Sequence, residues 1–322
     1  MTKGIWISWE KQRRNKGIAL ALGWPLFEFD IKASFSIRYF LSTMKTLRLI
    51  AREKPRIVVA QNPSIILCIW VTLLSRIWDF VFIMDAHNAG IFPMEGNSKL
   101  LMLIAKWLQK QATFTIVTNP GLERIVYSNG GNGICLPDAL PLVPATKKKK
   151  LEGNKTIAFI CTYSQDEPFQ EVFEAAKMID PTIMIYTTGK FAGKVDQSDV
   201  FFNIRLLGFL SEEEFWDLLS SVDIIMDLTT RENCLVCGAY EAVALGKPLI
   251  LSNTKALRTY FNKGCIYVDP NRNSIAKGIT AAVENVSILK RDIADLHAEI
   301  TFIWENAFKN LVRSIDHDLF KN

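Results

Sequence analysis

The sequence predicts an α/β protein built of two Rossmann-like, doubly wound domains, and three observations carry that prediction. Short apolar runs recur along all 322 residues, and helical patterns alternate with them at the spacing of βαβ units. Runs such as RIVVA (residues 56–60) are apolar without alternation, as strands covered on both faces of a parallel sheet are. The same strand–helix grammar then restarts after a Pro- and Lys-bearing stretch at residues 141–153. A chain of this length holds two domains of ordinary size, each able to bury its own core. With 49% hydrophobic and 22% charged residues, the composition is that of a globular protein rich in aromatics.

In the first half, residues 4–9 (GIWISW) form the first predicted strand, followed by a basic loop of Glu10, Lys11, Gln12, Arg13 and Arg14. A helix with Ile18, Leu20, Ala21 and Leu22 ends at Gly23, and residues 25–29 make the second strand. A longer helix over 37–54 carries Ile37, Phe40, Leu41, Met44, Leu47 and Ile50 on one stripe and stops before Pro55. After strand 56–60 come the loop Gln61-Asn62-Pro63-Ser64, a very apolar helix, and a strand over 80–84.

The next loop, Asp85-Ala86-His87-Asn88-Ala89-Gly90, lies at the carboxyl end of a central strand, where open α/β sheets place their chemistry. The chain has three His, and His297 and His317 fall in the terminal helices. His87 is therefore the one positioned to meet a substrate. Asp85 offers a carboxylate to act as base or to orient His87; the other reading of the pair is a loop-capping Asp with a surface His. A helix over 99–111, a strand over 113–118, the turn Asn119-Pro120-Gly121 and a short strand at 133–136 complete this half. The linker, 141–153, carries Pro144 and the run Lys147-Lys148-Lys149-Lys150, read as a solvated connector or a membrane contact.

The second half opens with strand 155–161, a loop from Thr162 to Glu167, helix 169–179 and strand 183–187 running into Thr188-Gly189-Lys190. A strand and turn at 204–211 contains Gly208. Ser211, with Glu214 three residues on, forms a capping box at the next helix. Residues 223–253 organise the rest: strand 224–228, polar loop 229–233, a helix up to Gly246, and strand 248–252. Val236, Ala239, Val243 and Ala244 give that helix an inward face, and Gly246 stops it. A strand–loop–helix edge aims backbone N–H groups and the helix dipole at a ligand. With Glu232 and Glu241 flanking the helix start, it suits a ligand with an anionic middle and hydroxyl-rich ends, such as a sugar nucleotide. On the last helix Trp304, Phe308, Leu311, Val312 and Ile315 form one stripe.

Charge and cysteine usage narrow the classes. Residues 1–150 hold 21 Lys and Arg against 9 Asp and Glu, and the remainder holds 17 against 24. The basic half points to an anionic partner: a membrane surface, a lipid-linked phosphate or nucleic acid. No nucleic-acid motif accompanies the charge, which sets that class aside. Met1-Thr2-Lys3 runs straight into a strand, so no signal peptide is expected. No apolar run approaches the ~18 residues of a membrane span. Six scattered Cys read as reduced thiols, and Cys234-x-x-Cys237 lacks the second pair a metal site needs.

The run EAVALGKPLILS, headed by Glu241, resembles the donor-site helix of retaining, nucleotide-sugar-dependent glycosyltransferases of the GT-B fold, family 4. The resemblance covers the second half well and the first half in outline. It implies two domains facing across a cleft: 1–145 on the acceptor side, 154–300 binding the nucleotide sugar, and 301–322 as a helix crossing back to the first. Glu241 matches the acid that holds the ribose hydroxyls. The family's first acid falls at Asn233, with Glu232 one position early, and its Gly-aromatic-Gly is replaced by Cys234-Leu235-Val236. Its Arg and Lys near the first loop of the second domain are also missing, which leaves Lys190 and Arg231 as candidate substitutes. The implied donor set is Lys190, Gly208, Thr230, Arg231, Glu232, Asn233, Leu235, Val236 and Glu241, the amides of Leu235 and Val236 lying near the helix start. His87 resembles the acceptor-side His, and Glu10, Arg13 and Arg14 would face the acceptor.

What the resemblance implies is metal-independent transfer of a hexosyl group from a nucleoside-diphosphate sugar, with no cofactor. The acceptor would be a hydroxyl of a glycan or lipid-linked saccharide, in bacterial-type polysaccharide or glycolipid assembly. The setting would be cytoplasmic and peripheral to the inner face of the membrane. Retention of configuration follows from the family, and inversion with Asp85 as base stays open. A non-catalytic nucleotide-sugar sensor or scaffold and a nucleotide-sugar epimerase are the alternative readings.

Overall fold

The structure, a computed structural model, describes residues 4–196 and 200–319; Met1, Thr2 and Lys3, where the absence of a signal peptide was read, lie outside the described residues. The chain divides into two compact units, Met1–Ala139 with Trp304–Asn322, and Leu140–Ile303.

The first unit is a six-stranded sheet of order β2-β1-β3-β4-β5-β6, every pairing parallel. In chain order it comprises β1 (Gly4–Ser8), α1 (Arg13–Leu22), β2 (Leu26–Glu28), α2 (Phe35–Glu53), β3 (Ile57–Asn62), α3 (Ile65–Trp78) and β4 (Val81–Ala86). Then come α4 (Asn88–Ile91), the turn Pro93–Gly96, α5 (Lys99–Gln111), β5 (Phe114–Val117), α6 (Pro120–Ser128) and β6 (Gly133–Cys135). β3 is buried at every position, as its unbroken apolar run requires. One face of the sheet packs against α2, α3, α5 and α6 through residues such as Leu49, Leu67, Leu108 and Val126. The other packs against α1 and the end of the chain's last helix, through Ile18, Leu22, Leu311 and Ile315.

Four expectations change here. β4 runs through Ala86, so Asp85 is a strand residue, in register with Gln61 and Ile116, and not part of the loop. α1 begins at Arg13, so Arg13 and Arg14 are helical. Asn119-Pro120-Gly121 is no isolated turn: the Asn119 side chain accepts from Leu122 N at 3.1 Å, Pro120 fills the first turn, and α6 follows. The stripe on α2 faces the core only at its far end. Ile37, Phe40 and Leu41 are exposed while Ser42, Thr43, Thr46, Leu49 and Ile50 are buried, because small polar residues fill the closest approach to the sheet.

The second unit is another six-stranded parallel sheet, of order β12-β11-β10-β7-β8-β9. It comprises β7 (Lys155–Ile160), α7 (Phe169–Ala176), β8 (Ile183–Thr188), β9 (Ile204–Gly208), α8 (Glu212–Ser221), β10 (Ile224–Asp227) and α9 (Cys237–Ala244). β11 (Leu249–Ser252), α10 (Lys255–Tyr260), β12 (Cys265–Val268), α11 (Arg272–Glu284) and α12 (Val286–Leu319) follow. The Ser211–Glu214 capping box forms as the sequence predicts. Gly246 takes a left-handed conformation (φ +66°) and its N–H returns to Val243 O, ending α9 as expected.

The four-Lys run is held and not a loose connector. Lys147 N donates to Asp217 Oδ1 at 2.7 Å and Lys149 N to Ser221 Oγ at 2.8 Å, so its backbone lies along α8 while the Lys147 side chain stays in water. α12 contributes to both units. Ile293, Leu296 and Ile300 are buried in the second core, and Leu311 and Ile315 in the first, with Trp304 stacked on Phe308. Among the described residues no helix is long and apolar enough to cross a membrane.

Candidate functional site

Functional side chains gather at the carboxyl edge of each sheet. In the first unit the edge is built from the ends of β1, β3 and β4 and the start of α1. Arg14 is fully buried. Its Nε and Nη2 both donate to Asp85 Oδ1 at 3.1 Å, Nη2 also reaches Leu136 O at 2.9 Å, and Nη1 pairs with Asp138 Oδ1. Burial alone pulls the guanidinium pKa down, but Asp85 and then Asp138 outweigh it and hold the charge above its ordinary range. Arg14 therefore does not face an acceptor as expected; it braces Asp85 from behind. The other carboxylate oxygen, Asp85 Oδ2, lies 3.8 Å from His87 Nε2.

Several buried polar atoms are left over at this edge of the first unit. Asn15 Oδ1 and Nδ2, Gln61 Nε2, Asn62 Oδ1, Asp85 Oδ2 and His87 Nε2 have no hydrogen-bond partner among the described residues. Each such atom costs on the order of 1–3 kcal/mol when left unpaired. Gln61 pairs in register with Asp85 and so shares its face of the sheet, whereas the Asn62 amide turns to Met84 Sδ and Gly90 O on the other face. The backbone is tight here: His87 N donates to Asn62 O, and a Cβ on Gly90 would stand 2.9 Å from Asn62. Sequence reading found Asp85 and His87. It missed Asn15, in α1, and Gln61 and Asn62, for which the signal was an amide-bearing pair closing an apolar strand.

In the second unit the loops after β7, β8 and β9 converge. Gly189 has φ +92° and a Cβ there would meet Cys161 O at 2.0 Å, while its N–H donates to Gly208 O at 2.8 Å. Gly208 also has positive φ (+74°), but a Cβ would meet only Phe191, at 4.0 Å. Its glycine thus serves the backbone conformation and leaves the space beside the turn open. Lys190 Nζ sits 5.6 Å from the Phe209 ring centroid, a cation–π contact. Lys194, not singled out from the sequence, brings its Nζ to Thr162 O at 2.9 Å. Its signal was the second Gly-Lys pair, Gly193-Lys194, following Gly189-Lys190.

The loop after β7 is organised by its own acids. The Glu167 carboxylate accepts from Thr162 N at 2.8 Å and Ser164 N at 2.9 Å. Asp166 accepts from Thr229 Oγ1 at 2.9 Å and pairs with Arg231 Nη2 at 3.3 Å. Arg231 therefore arrives with a carboxylate partner. Glu232 Oε1 accepts from Lys255 N at 2.7 Å, at the start of α10. That gives Glu232 a capping role the sequence did not suggest. Thr230 N donates to Asp166 O at 2.7 Å.

α9 begins at Cys237, three residues later than predicted, so Asn233, Leu235 and Val236 precede the helix and Val236 is its N-cap. Gly238 is needed there: a Cβ would stand 2.4 Å from Ile160 Cδ1 and 2.6 Å from Asp227 Oδ2. Its N–H donates to Asp227 Oδ2 at 2.8 Å. Asp227 and Glu241 are both buried. Burial first, then the nearby carboxylates of Glu241, Glu167 and Asp166, push the Asp227 pKa well above the ordinary carboxylate range, against the pull of the Gly238 N–H.

Neither a protein-family model nor a curated protein matches the sequence. Solved structures match over nearly the whole chain. Sucrose-phosphate synthase from Thermosynechococcus elongatus has a TM-score of 0.78 at 12% identity, covering 99% of each chain. Anabaena HepE in complex with UDP-glucose scores 0.72 at 12% identity, over 97% of this chain and all of that one. A UDP-N-acetylglucosamine 2-epimerase from Listeria monocytogenes, itself assigned only provisionally, scores 0.65 at 12% identity, over 100% and 98%. These likenesses establish the fold: two parallel α/β domains of the GT-B type, as the sequence predicts.

Proposed function

We propose that this chain is a nucleotide-sugar-dependent glycosyltransferase that moves a hexosyl group to a hydroxyl of a glycan or lipid-linked saccharide, in polysaccharide or glycolipid assembly. The observation that carries the reading is the convergence of Gly189, Gly208 and the Glu241-bearing α9 at one sheet edge. It occurs in a fold shared end to end with a protein solved holding UDP-glucose.

In this reading the second unit holds the donor. Glu241 takes the ribose hydroxyls, the Gly208 turn takes the base, and Thr230, Glu232 and Asn233 lie toward the transferred sugar. Lys190, Lys194 and Arg231, with the amides of Leu235 and Val236, meet the diphosphate and stabilise the charge that develops as the anomeric C–O bond breaks. The first unit supplies the acceptor's surroundings. The acceptor hydroxyl gives its proton to the His87 ring nitrogen turned away from Asp85, which orients the imidazole through Nε2, while Glu10 and Arg13 lie toward the rest of the acceptor. Arg14 acts through Asp85. The transfer uses no metal and no cofactor beyond the sugar nucleotide; the sequence resemblance to family 4 favours retention of configuration, with inversion using Asp85 as base the alternative. The basic first half supports work at the cytoplasmic face of an anionic membrane.

Thermal-shift screening against UDP-, GDP-, ADP- and dTDP-sugars tests the reading. A sugar nucleotide that raises the melting temperature and slowly releases free nucleotide without acceptor supports it, and no response to any of them overturns it. The likeness to the Listeria protein gives an epimerase as the second reading; that enzyme would convert the sugar nucleotide itself with no acceptor present.

A further inference from the structure

The helices covering one face of the first sheet leave an apolar surface in water. α2, α3 and α5 share a core on that face, and α3 packs against both of the others. Their outer sides do not become polar. In the first turns of α2, Ile37, Phe40 and Leu41 make an exposed i, i+3, i+4 stripe, and Phe35 at the helix start is 67% exposed. In α5, Leu100 is 68% and Leu103 66% exposed, and Trp107 continues the same i, i+3, i+7 stripe. Exposed apolar side chains scattered singly need no explanation, but rows of them on α2 and α5, the helices either side of α3, mark an interaction surface.

The charges around this surface have one sign. Lys99, Lys106 and Lys110 are exposed along α5, which carries no acid, and α3 carries none either. Arg38, Lys45 and Arg48 line the exposed part of α2, whose only acid, Glu53, ends the helix. Glu95, in the turn before α5, is the nearby exception. A two-fold dimer through this face would set like charges against one another, since such an interface meets its own copy. An anionic lipid surface instead takes the Leu and Phe side chains at the acyl boundary, the Trp at the interface, and the Lys ammonium groups at headgroup phosphates.

The position of the surface matters as well. A helix that follows a parallel strand starts at that strand's carboxyl end, so the first turns of α2 and α5 lie toward the edge that carries Asp85 and His87. Trp9, just beyond β1, stands edge-on to Tyr39 at 5.6 Å, and Tyr39 lies 4.4 Å from Phe35. An unbroken aromatic path therefore joins the sheet edge to the exposed face.

We infer that the exposed face of α2 and α5, with its apolar stripes and lysine rows, docks on an anionic lipid surface and presents a lipid-borne acceptor to the first sheet's carboxyl edge. The docking stands on exposure and charge alone; only the word acceptor rests on the transferase reading. The test is flotation of the full-length protein with vesicles of phosphatidylglycerol and phosphatidylcholine, and with phosphatidylcholine alone. Wild type floats with the anionic vesicles only. Leu100→Glu with Leu103→Glu lowers partitioning more than tenfold, and Lys99→Gln, Lys106→Gln and Lys110→Gln lower it about fivefold each. Phe202→Glu, an exposed apolar position of the second unit, leaves it unchanged.

Wild type that fails to float, or a Leu100/Leu103 variant that floats as wild type does, overturns the inference. So does a concentration-dependent dimer in sedimentation velocity that this double variant abolishes. The sugar-nucleotide thermal shift, measured on the same variants, stays at its wild-type value whichever way flotation falls. Failure of the membrane surface is thereby told apart from failure of the transferase reading.

Discussion

At the carboxyl edge of the first sheet, Asn15, Gln61 and Asn62 keep buried amide atoms without partners, and Arg14 braces the Asp85 carboxylate. At the same edge of the second sheet the loop acids are engaged from within the chain, Glu167 by two backbone amides and Asp166 by Thr229 and Arg231. The same strand–loop–helix architecture thus yields two kinds of surface. One holds a braced carboxylate with neutral amides left unpaired at the same edge. The other engages its loop acids from within the chain and leaves the Tyr163 and Thr187 hydroxyls unpaired.

The largest effect that sharpens this contrast falls on Arg14. Arg14→Ala leaves Asp85 buried without its partner and lowers stability by about 3–5 kcal/mol, read as a lower urea midpoint at neutral pH. Arg14→Lys falls between, since an ammonium cannot copy the two-pronged grip on Asp85. A midpoint unmoved in the alanine variant would break the claim that the first edge depends on this brace. Next is His87→Ala, which leaves the UDP-sugar thermal shift unchanged but slows transfer about 100-fold in a coupled nucleotide-release assay. Loss of donor binding in this variant would instead mean that the first edge also serves the nucleotide.

Glu241→Gln weakens the sugar nucleotide about tenfold by titration calorimetry, a loss of about 1.4 kcal/mol, with the fold intact. Equal affinity in the variant would remove Glu241 from the donor site. The smallest effect is on pH dependence. Because Asp227 titrates above the ordinary carboxylate value of 3.8, the folded state binds more protons than the unfolded one between that value and its raised pKa. Its contribution is fully present below pH 3.8 and is lost as pH rises through the raised pKa. Asp227→Asn keeps an acceptor for Gly238 N and is therefore more stable than wild type at pH 7 by about 1 kcal/mol. Thermal melts from pH 3.5 to 7 should show that advantage vanish at the acid end; a constant difference would contradict it.

Much of the fold was legible because its signals are local. An unbroken apolar run marked β3, Ser211 and Glu214 marked a helix start, Gly246 marked a stop, and the stripe from Trp304 to Ile315 marked a buried face. The features that escaped depend on partners far away in the chain. Arg14 meets Asp85 across 71 residues and Asp138 across 124, so nothing near Arg14 separated a buried brace from a solvent-facing base. Apolar periodicity in α2 was real but misleading, since its first turns face outward and hydroxyl residues lie beneath. Asp85 was singled out by its place at the end of a central strand beside His87, and Glu241 by heading the helix that runs into Gly246-Lys247-Pro248. The neutral amides at the same edge as Asp85 were not, because Asn and Gln in a loop carry no comparable signal.

The 34-residue α12 has a consequence for how the molecule is made. The second unit is complete in sequence by Ile303, whereas the first keeps a gap in its core until Leu311 and Ile315 arrive. A nascent chain emerging from the ribosome can therefore finish its later-encoded half before its earlier one. Until that segment docks, the cluster it joins on the first sheet lacks Leu311 and Ile315, and during synthesis the amino-terminal half is the part that calls for chaperone shelter.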